Sequence, residues 1–214
     1  MKACFACMVG ALLVLRGSAH VNAEPIRDQV FLPTEHGSIS GPNPAAQTFT
    51  VGIAGTLSAV SIPLFGTAPV LVDVRRTTST GFPAPDNEPR RTLAHAVVVP
   101  PSGRFELVTT DVRAFHVAVR PGDMMAITLR SPGILNWLIA LDDNATYERG
   151  GAFLEEPGPD WRPFPDVFRN FSQGDFLFAT SVEPAAVTPE PAALTLIAIG
   201  ALMVVRRRQR RSAR

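Results

Sequence analysis

Cysteine is scarce in this chain. Two of its 214 residues are cysteines, Cys4 and Cys7, and both lie within the first ten positions. So few cysteines exclude a disulfide-dense scaffold, which needs several pairs in a small domain. Cys4 and Cys7 have the spacing of a redox pair, but they lie inside an apolar N-terminal run, so we interpret them as part of a targeting segment. Without residues 1–23, the chain has no cysteine and its stability depends on packing.

Acidic residues are absent from both ends of the chain. Residues 1–23 contain Lys2 and Arg16, residues 206–214 contain six arginines, and the segment 24–191 holds the other 12 cations and all 19 acids. The net charge of +1 therefore conceals an acidic body between two basic ends. An acidic body argues against nucleic acid as a partner, because phosphate binding requires a basic surface.

The N-terminus has the pattern of a secretory signal peptide. Met1 and Lys2 precede an apolar run over 3–15, and the small residues Val21 and Ala23 then mark a cleavage site before Glu24. This pattern predicts a signal helix and removal of residues 1–23. A cut after Ala19 and a short buried helix are the alternatives.

The C-terminus combines a proline motif, a short apolar run and a basic end. The apolar run 192–205 has 14 residues, which as a helix span about 21 Å, whereas a bilayer core is about 30 Å thick. We predict a short, transient transmembrane helix at 192–205 and a cytoplasmic basic tail at 206–214. A permanent tail anchor and a buried core helix are the alternatives. The residues that define the pattern are Pro189, Glu190, Pro191, Arg206, Arg207 and Arg208.

This order of parts resembles the PEP-CTERM sorting signal. The resemblance covers residues 188–211 and implies that an exosortase, a membrane-embedded transpeptidase, recognises the tail and cleaves near the proline triplet. The implied product is an exported protein at the bacterial cell surface or in its extracellular matrix, after a membrane-anchored precursor. The resemblance says nothing about the chemistry of the body.

The body has the pattern of an all-β domain. Its 20 prolines argue against a helical bundle, and short β-branched and aromatic runs are bounded by Gly, Pro, Asn and Asp. Within one run Pro63 suggests an edge strand, and residues 77–91 form a long loop without period. The predicted strands are 47–53, 57–65, 70–74, 93–99, 105–108, 115–119, 124–129, 136–141 and 175–182.

These strands predict a single antiparallel two-sheet sandwich, jelly-roll-like, over 47–183. We expect residues 24–46 to be a leader, 142–174 to be a long ordered loop, and 184–191 to be a linker that carries the Pro-Glu-Pro motif. Phe176 and Phe178 should face the core together, with Leu177 opposite. The motifs at 47–52, 122–129, 150–151 and 175–178 also resemble extracellular sandwich domains that precede such tails and are similar to carbohydrate-binding jelly rolls.

The aromatic segment 147–171 is the candidate binding surface. Aromatic rings stack on sugar faces and arginines donate to hydroxyls, so Tyr147, Arg149, Trp161 and Arg162 are the candidate glycan-binding residues. The alternative is that these rings form a satellite core beneath an ordered loop. Asp142, Asp143 and Asn144 could bind calcium through oxygen, or form a solvated turn. No other cofactor is expected.

Catalytic patterns are weak. His95 and His116 lie in apolar strands, no G-x-S-x-G elbow occurs, and adjacent carboxylates such as Glu155 and Glu156 point to opposite sides of a strand. The sequence favours a non-enzymatic surface or matrix protein whose body binds exopolysaccharide. The alternative is a secreted glycan-acting hydrolase of β-sandwich fold, which needs two carboxylates facing each other across a sugar.

Overall fold

The computed structural model describes residues 24–34, 36–85, 88–140, 146–155, 160–168 and 174–185. The predicted signal cleavage residues Val21 and Ala23, the calcium candidates Asp142, Asp143 and Asn144, and the whole sorting segment from Pro189 to the basic tail lie outside these ranges. Within the ranges, none of the helices has the length and apolar character needed to cross a membrane.

The described chain forms two antiparallel sheets packed face to face, which confirms the predicted all-β sandwich. One short helix, α1 (Phe164–Val167), and 3₁₀ turns at Pro89–Arg91 and Arg113–Phe115 accompany the strands. The strands are β1 (Ile26–Phe31), β2 (Gly37–Gly41), β3 (Ala45–Thr50), β4 (Gly55–Phe65), β5 (Val70–Arg76), β6 (Thr92–Val98), β7 (Glu106–Asp111), β8 (Ala118–Val119), β9 (Met124–Arg130), β10 (Leu135–Ala140), β11 (Ala152–Glu155), β12 (Trp161–Pro163), β13 (Asp175–Phe176) and β14 (Phe178–Pro184).

The two sheets differ in their strand order. The first sheet runs β1-β14-β4-β10-β13, with β7 and β8 also paired to β4 and β2 paired to β10. The second sheet runs β12-β11-β3-β9-β5-β6. Most neighbours in space are therefore distant in sequence, which is typical of a sandwich built from crossing connections.

The main core lies between the sheets and follows the strand alternation. Phe176 and Phe178 are fully buried in it, whereas Leu177 packs with Leu138 and Ala140 in a separate small cluster. This confirms the predicted orientation of the three residues. Trp137 stacks on Phe176 with ring centroids 4.3 Å apart.

Three expectations about individual segments differ from the structure. The sheet begins at β1, inside the expected leader 24–46, because β1 pairs with β14 and β2 with β10. The expected loop 142–174 contains β11, β12 and α1, and β11 extends the second sheet by pairing with β3. The strand expected at 115–119 shortens to β8, because His116 adopts a left-handed φ of 50° after a 3₁₀ turn.

Pro63 is also not on an edge strand. It lies in β4, which pairs with β14, β7, β8 and β10. Val112 N–H donates to the Ser58 carbonyl, so the backbone groups of the even-numbered residues of β4 bond to β7. Those of the odd-numbered residues, Pro63 among them, therefore point away from β7. On that other side the β14 ladder ends at Ser61 and the β10 ladder begins at Leu64, so the missing donor of Pro63 breaks no bond.

Candidate functional site

The predicted glycan-binding residues do not form one surface. Tyr147 is buried in the main core, where its hydroxyl donates a 2.8 Å hydrogen bond to Gln29 Oε1. Burial raises the pKa of Tyr147 to about 12. Its ring meets Phe178 edge-on at 5.1 Å, so it has no open face for a sugar.

Trp161 lies in a second, separate apolar cluster. Its side chain is 6% exposed and packs with Ala46, Phe153 and Phe82. Ala46 follows Ala45, which points into the main core, so this cluster covers the opposite face of the second sheet. We call that face the outer face. For Trp161 the structure therefore confirms the alternative of a satellite core beneath a loop and not the open aromatic platform, because strand pairing and the covering loop bury the ring.

The two candidate arginines are exposed but lie on different elements. Arg149 extends toward Gln29 Oε1 and the Val51 carbonyl, both at 3.4 Å. Arg162 lies on β12, opposite Leu154 of β11. No described contact joins them.

The outer face instead carries a row of polar side chains that the sequence analysis did not single out. The register places Thr128 of β9 between Ala46 of β3 and Asp73 of β5, and His95 of β6 beside Asp73. Each of these positions has the parity opposite to the apolar core residues of its strand. In the sequence, the charged Asp73 between the apolar Val72 and Val74 is the feature that could have indicated this row.

The loop at 77–85 packs beside Asp73 of this row and over Arg75, which lies two residues further along the same face of β5, whereas His95 stays exposed. Arg75 Nη1 donates a 2.9 Å hydrogen bond to the Ala84 carbonyl. Arg75 Nε lies 3.5 Å from Asp73 Oδ2, and both side chains are buried. Phe82 of the same loop packs on Phe153 at a centroid distance of 5.1 Å. The loop thus closes over the charges and the Trp161 cluster together.

Asp73 has a perturbed acidity. Burial raises the pKa of its carboxyl, and the positive charges of Arg75 and Arg130 and the nearby His95 offset part of that rise. A raised carboxyl pKa is a property of catalytic acids, but it also arises in structural ion pairs. Because Asp73 lies beneath the loop, its carboxyl is not open to a substrate.

Arg130 is the partly accessible charge of the outer face. Its Nη2 lies 3.2 Å from Glu155 Oε2, and its side chain is 22% exposed. The guanidinium carbon lies 6.0 Å from the centroid of the Trp161 ring, which is the range of a cation–π contact. Burial lowers the pKa of Arg130 and Glu155 partly offsets this, but an arginine stays charged. Trp161 and Glu155 thus hold one guanidinium in a fixed position.

A shallow depression opens beside Arg130. It has a volume of about 410 Å³ and combines apolar walls with one charged group and one hydroxyl. Its lining residues are Pro69, Leu71, Val97, Arg130, Ser131 and Pro132. Its mainly apolar lining with a few polar groups resembles that of small-ligand sites, but the depression is more open than the clefts and cavities that bury such ligands.

Two further cavities lie elsewhere on the sandwich. A more enclosed one of about 180 Å³ lies between the sheets, against Trp137, Leu154 and Phe168. The other, of about 310 Å³, lies at Arg76, Arg120 and Asp123, and Asp123 Oδ2 already accepts the Arg120 N–H. No group of three or more metal-ligating side chains occurs within the described ranges.

Comparisons with known proteins inform the fold. No protein-family model matches the chain. The search of curated proteins gave no match either. Among solved structures, the chain is similar to the clostridial cysteine protease Cwp84 after propeptide cleavage, with a TM-score of 0.51 and 14% identity over 76% of this chain and 41% of that one.

A second solved structure contains the cysteine protease and lectin-like domains of Cwp84, a surface layer associated protein of Clostridium difficile. It matches with a TM-score of 0.46 and 13% identity over 69% of this chain and 34% of that one. The chain thus spans less than half the length of either neighbour. At such identities the likeness concerns fold alone. Cys4 and Cys7 are the two cysteines of the sequence, so residues 24–185 supply no thiol nucleophile.

Proposed function

We propose that this chain is an exported bacterial surface or extracellular-matrix protein, sorted by an exosortase through its C-terminal segment, and that its sandwich binds exopolysaccharide without catalysis. The sorting part rests on the sequence. A signal-peptide pattern lies at the N-terminus, and a Pro-Glu-Pro triplet, a 14-residue apolar run and an arginine cluster follow one another at the other end in the order of the PEP-CTERM signal that this segment resembles.

The depression beside Arg130 is the observation that carries the binding part. A sugar presents hydroxyls around a partly apolar ring, and the depression offers a guanidinium beside Leu71, Val97 and prolines. Trp161 contributes indirectly, because it lies under Arg130 and limits the motion of the guanidinium. This shifts the candidate site from the aromatic segment to the outer face of the second sheet.

Localisation of variants tests the sorting part. Glu190→Ala, or deletion of 192–205, should leave the protein in the membrane fraction or release it unsorted, whereas Thr188→Ala, just before the triplet, should sort normally. Mass spectrometry of the sorted protein should find neither Cys4 nor Cys7. Unchanged surface localisation of the Glu190→Ala and deletion variants would refute exosortase sorting.

A glycan array tests the binding part with the purified full chain in mild detergent. Arg130→Lys keeps the charge and the pairing with Glu155 but removes the planar guanidinium fork, so binding should weaken at least several-fold while the melting temperature changes little. Arg120→Lys, at an exposed arginine elsewhere on the sandwich, is the matched control. Equal binding by the two variants, or no glycan bound by the wild type, would contradict the proposal.

The hydrolase alternative has one observation in its favour. Asp73 and Glu155 are two carboxylates on the same face, both near Arg130, and the pKa of Asp73 is raised. Both are held by arginines, and Asp73 is covered by the loop at 77–85. Release of reducing sugar from a glycan that the protein binds, abolished by Asp73→Asn, would replace the binding proposal with an enzymatic one.

A further inference from the structure

β6 is an edge strand with exposed apolar side chains. Within the described ranges its strand partner is β5. Val97 of β6 is 68% exposed and Val99, just beyond it, is 69% exposed. The ring of Phe115 lies 5.1 Å from that of His95 and is itself partly exposed, so it adds apolar surface next to the edge.

The free edge of β6 offers backbone groups for pairing. Val51 N–H donates to the Asp123 carbonyl at 2.9 Å, which turns the odd-numbered residues of β3 toward β9. The pairing of β3 with β9, of β9 with β5, and of β5 with residues 94–98 of β6 has no register shift. In each strand alternate residues bond to opposite neighbours, so the direction of the β3 bonds determines the direction in every strand up to β6. Ala94, Ala96 and Val98 therefore bond to β5, whereas the N–H and C=O groups of His95 and Val97 face outward.

The other described edge strands carry features that discourage pairing. Natural sheets protect their edges with charge, proline, bulges or shortness. β1 contains Arg27 and Asp28 and a register shift. β7 has acidic residues at both ends, β12 has three residues with an arginine and a proline, β13 has two residues, and β2 is polar with glycine at both ends. β6 has none of these features between 94 and 98.

We infer that β6 pairs antiparallel with β6 of a second copy of this chain, with the two-fold axis at Ala96. In that register His95 lies opposite the partner's Val97, and the two residues exchange both of their outward backbone bonds. The two-fold repeats the pair, so four backbone hydrogen bonds join the copies. The stretch 94–98 has no Lys, Arg, Asp or Glu, so identical strands meet without like-charge repulsion. The two six-stranded sheets become one continuous sheet.

Proline variants test the backbone part of the inference in the full chain, in mild detergent, by sedimentation over a concentration series. Val97→Pro removes an outward N–H without removing a bond to β5, so it should abolish the dimer. Leu107→Pro is the matched control. Leu107 lies on the β7 edge and is 42% exposed. Because Val112 bonds to Ser58 of β4, the even-numbered residues of β7 bond to β4, and the N–H of Leu107 points outward, as that of Val97 does. Both variants keep the apolar run 192–205, so association through that run affects them equally.

A lysine variant provides a second test in case the proline variant does not fold. Val97→Lys leaves the backbone intact and should raise the dimer dissociation constant at least about tenfold, or about 1.4 kcal/mol, whereas Leu107→Lys should not. A wild type that sediments as a monomer throughout the series, or a Val97→Pro or Val97→Lys chain that dimerises as tightly as its Leu107 control, would overturn the inference. The readout is association and not glycan binding, so its failure is distinct from failure of the proposed function.

Discussion

Gln47 and Asp175 are 128 positions apart in the chain, yet the Gln47 amide donates a 3.0 Å hydrogen bond to the Asp175 carboxylate inside the sandwich. Gln47 Oε1 in turn accepts the Phe176 N–H at 2.7 Å. The second oxygen of Asp175 accepts the Tyr147 N–H at 3.0 Å. Two buried side chains thus join β3 of the second sheet to β13 of the first and to the segment before β11.

Gln47→Leu should destabilise the protein, and more so at neutral than at acidic pH. The change leaves the Phe176 N–H without its acceptor, and each buried polar group that loses its partner costs about 1–3 kcal/mol. Burial raises the pKa of Asp175 above 3.8, and the Gln47 hydrogen bond offsets part of that rise. The carboxyl therefore contributes stability below its unfolded pKa, and this contribution is lost as pH rises through the folded pKa.

Without the Gln47 hydrogen bond, the pKa of Asp175 in the folded state rises further. The variant therefore loses additional unfolding free energy as the pH rises above the folded-state pKa of the wild type. Denaturant unfolding at pH 3 and at pH 7 measures this difference. Thr109→Val, which breaks an exposed 2.9 Å hydroxyl pair with Ser61, should change the unfolding free energy by less than about 0.5 kcal/mol. A loss of equal size at both pH values would contradict the role of Asp175.

The sequence predicts those strands whose own pattern of apolar side chains is typical of a strand. β4, β5 and β9 are rich in apolar residues, and segments such as 60–64 and 70–74 place an apolar side chain at every second position, which is sufficient to locate these strands. β1 and β2 lack it, because they contain charges, serine and glycine and are held by pairing to β14 and β10. Their formation depends on partners far away in sequence, which a local pattern does not reveal.

The candidate site illustrates the same difference. The sequence indicated that the rings near 161 are important, but whether a ring lies on a surface or under a loop depends on pairing between β11 and β3 and on Phe82 folding back. Arg130 and Asp73 looked like ordinary strand residues, since neither belongs to a motif. Their proximity follows from the register between β5 and β9, which no spacing in the sequence encodes.

Gly150→Ala should destabilise the protein, whereas Gly151→Ala should not. A Cβ on Gly150 would lie 1.8 Å from the Thr48 carbonyl oxygen, and backbone atoms have no room to move aside. A Cβ on Gly151 would meet Phe153 at an ordinary 3.7 Å. Overpacking of this kind costs about 1–3 kcal/mol or more. Thermal unfolding of the two neighbouring variants measures the effect, and equal melting temperatures would show that the close approach of the chain to β3 is not required.

Phe178→Ala should cost about 3–5 kcal/mol of unfolding free energy, because the ring is fully buried between the sheets. It packs on Phe49 at 5.7 Å as well as on Tyr147, so its loss leaves a cavity lined by both sheets. Phe168→Ala removes the same number of atoms from a ring that is partly exposed, and should cost much less. Similar losses for both variants, measured by denaturant unfolding, would mean that the core is not centred where the strand alternation puts it.

Trp161→Ala should lower stability by about 3–5 kcal/mol, because the ring fills the cluster under the loop at 77–85. Trp161→Phe should cost far less. The indole Nε1 is buried with no hydrogen-bond partner within the described part of the chain, so its removal relieves a desolvation penalty that offsets part of the lost packing. Trp137→Phe is the matched control, because Trp137 Nε1 donates a 2.8 Å hydrogen bond to the Leu177 carbonyl, and its loss leaves that buried oxygen without this donor. Denaturant unfolding should therefore rank Trp161→Phe as the mildest of the three. A Trp161→Ala chain with an unchanged melting temperature would instead mean that the ring is exposed in solution, and would return Trp161 to the role of a stacking platform for sugar.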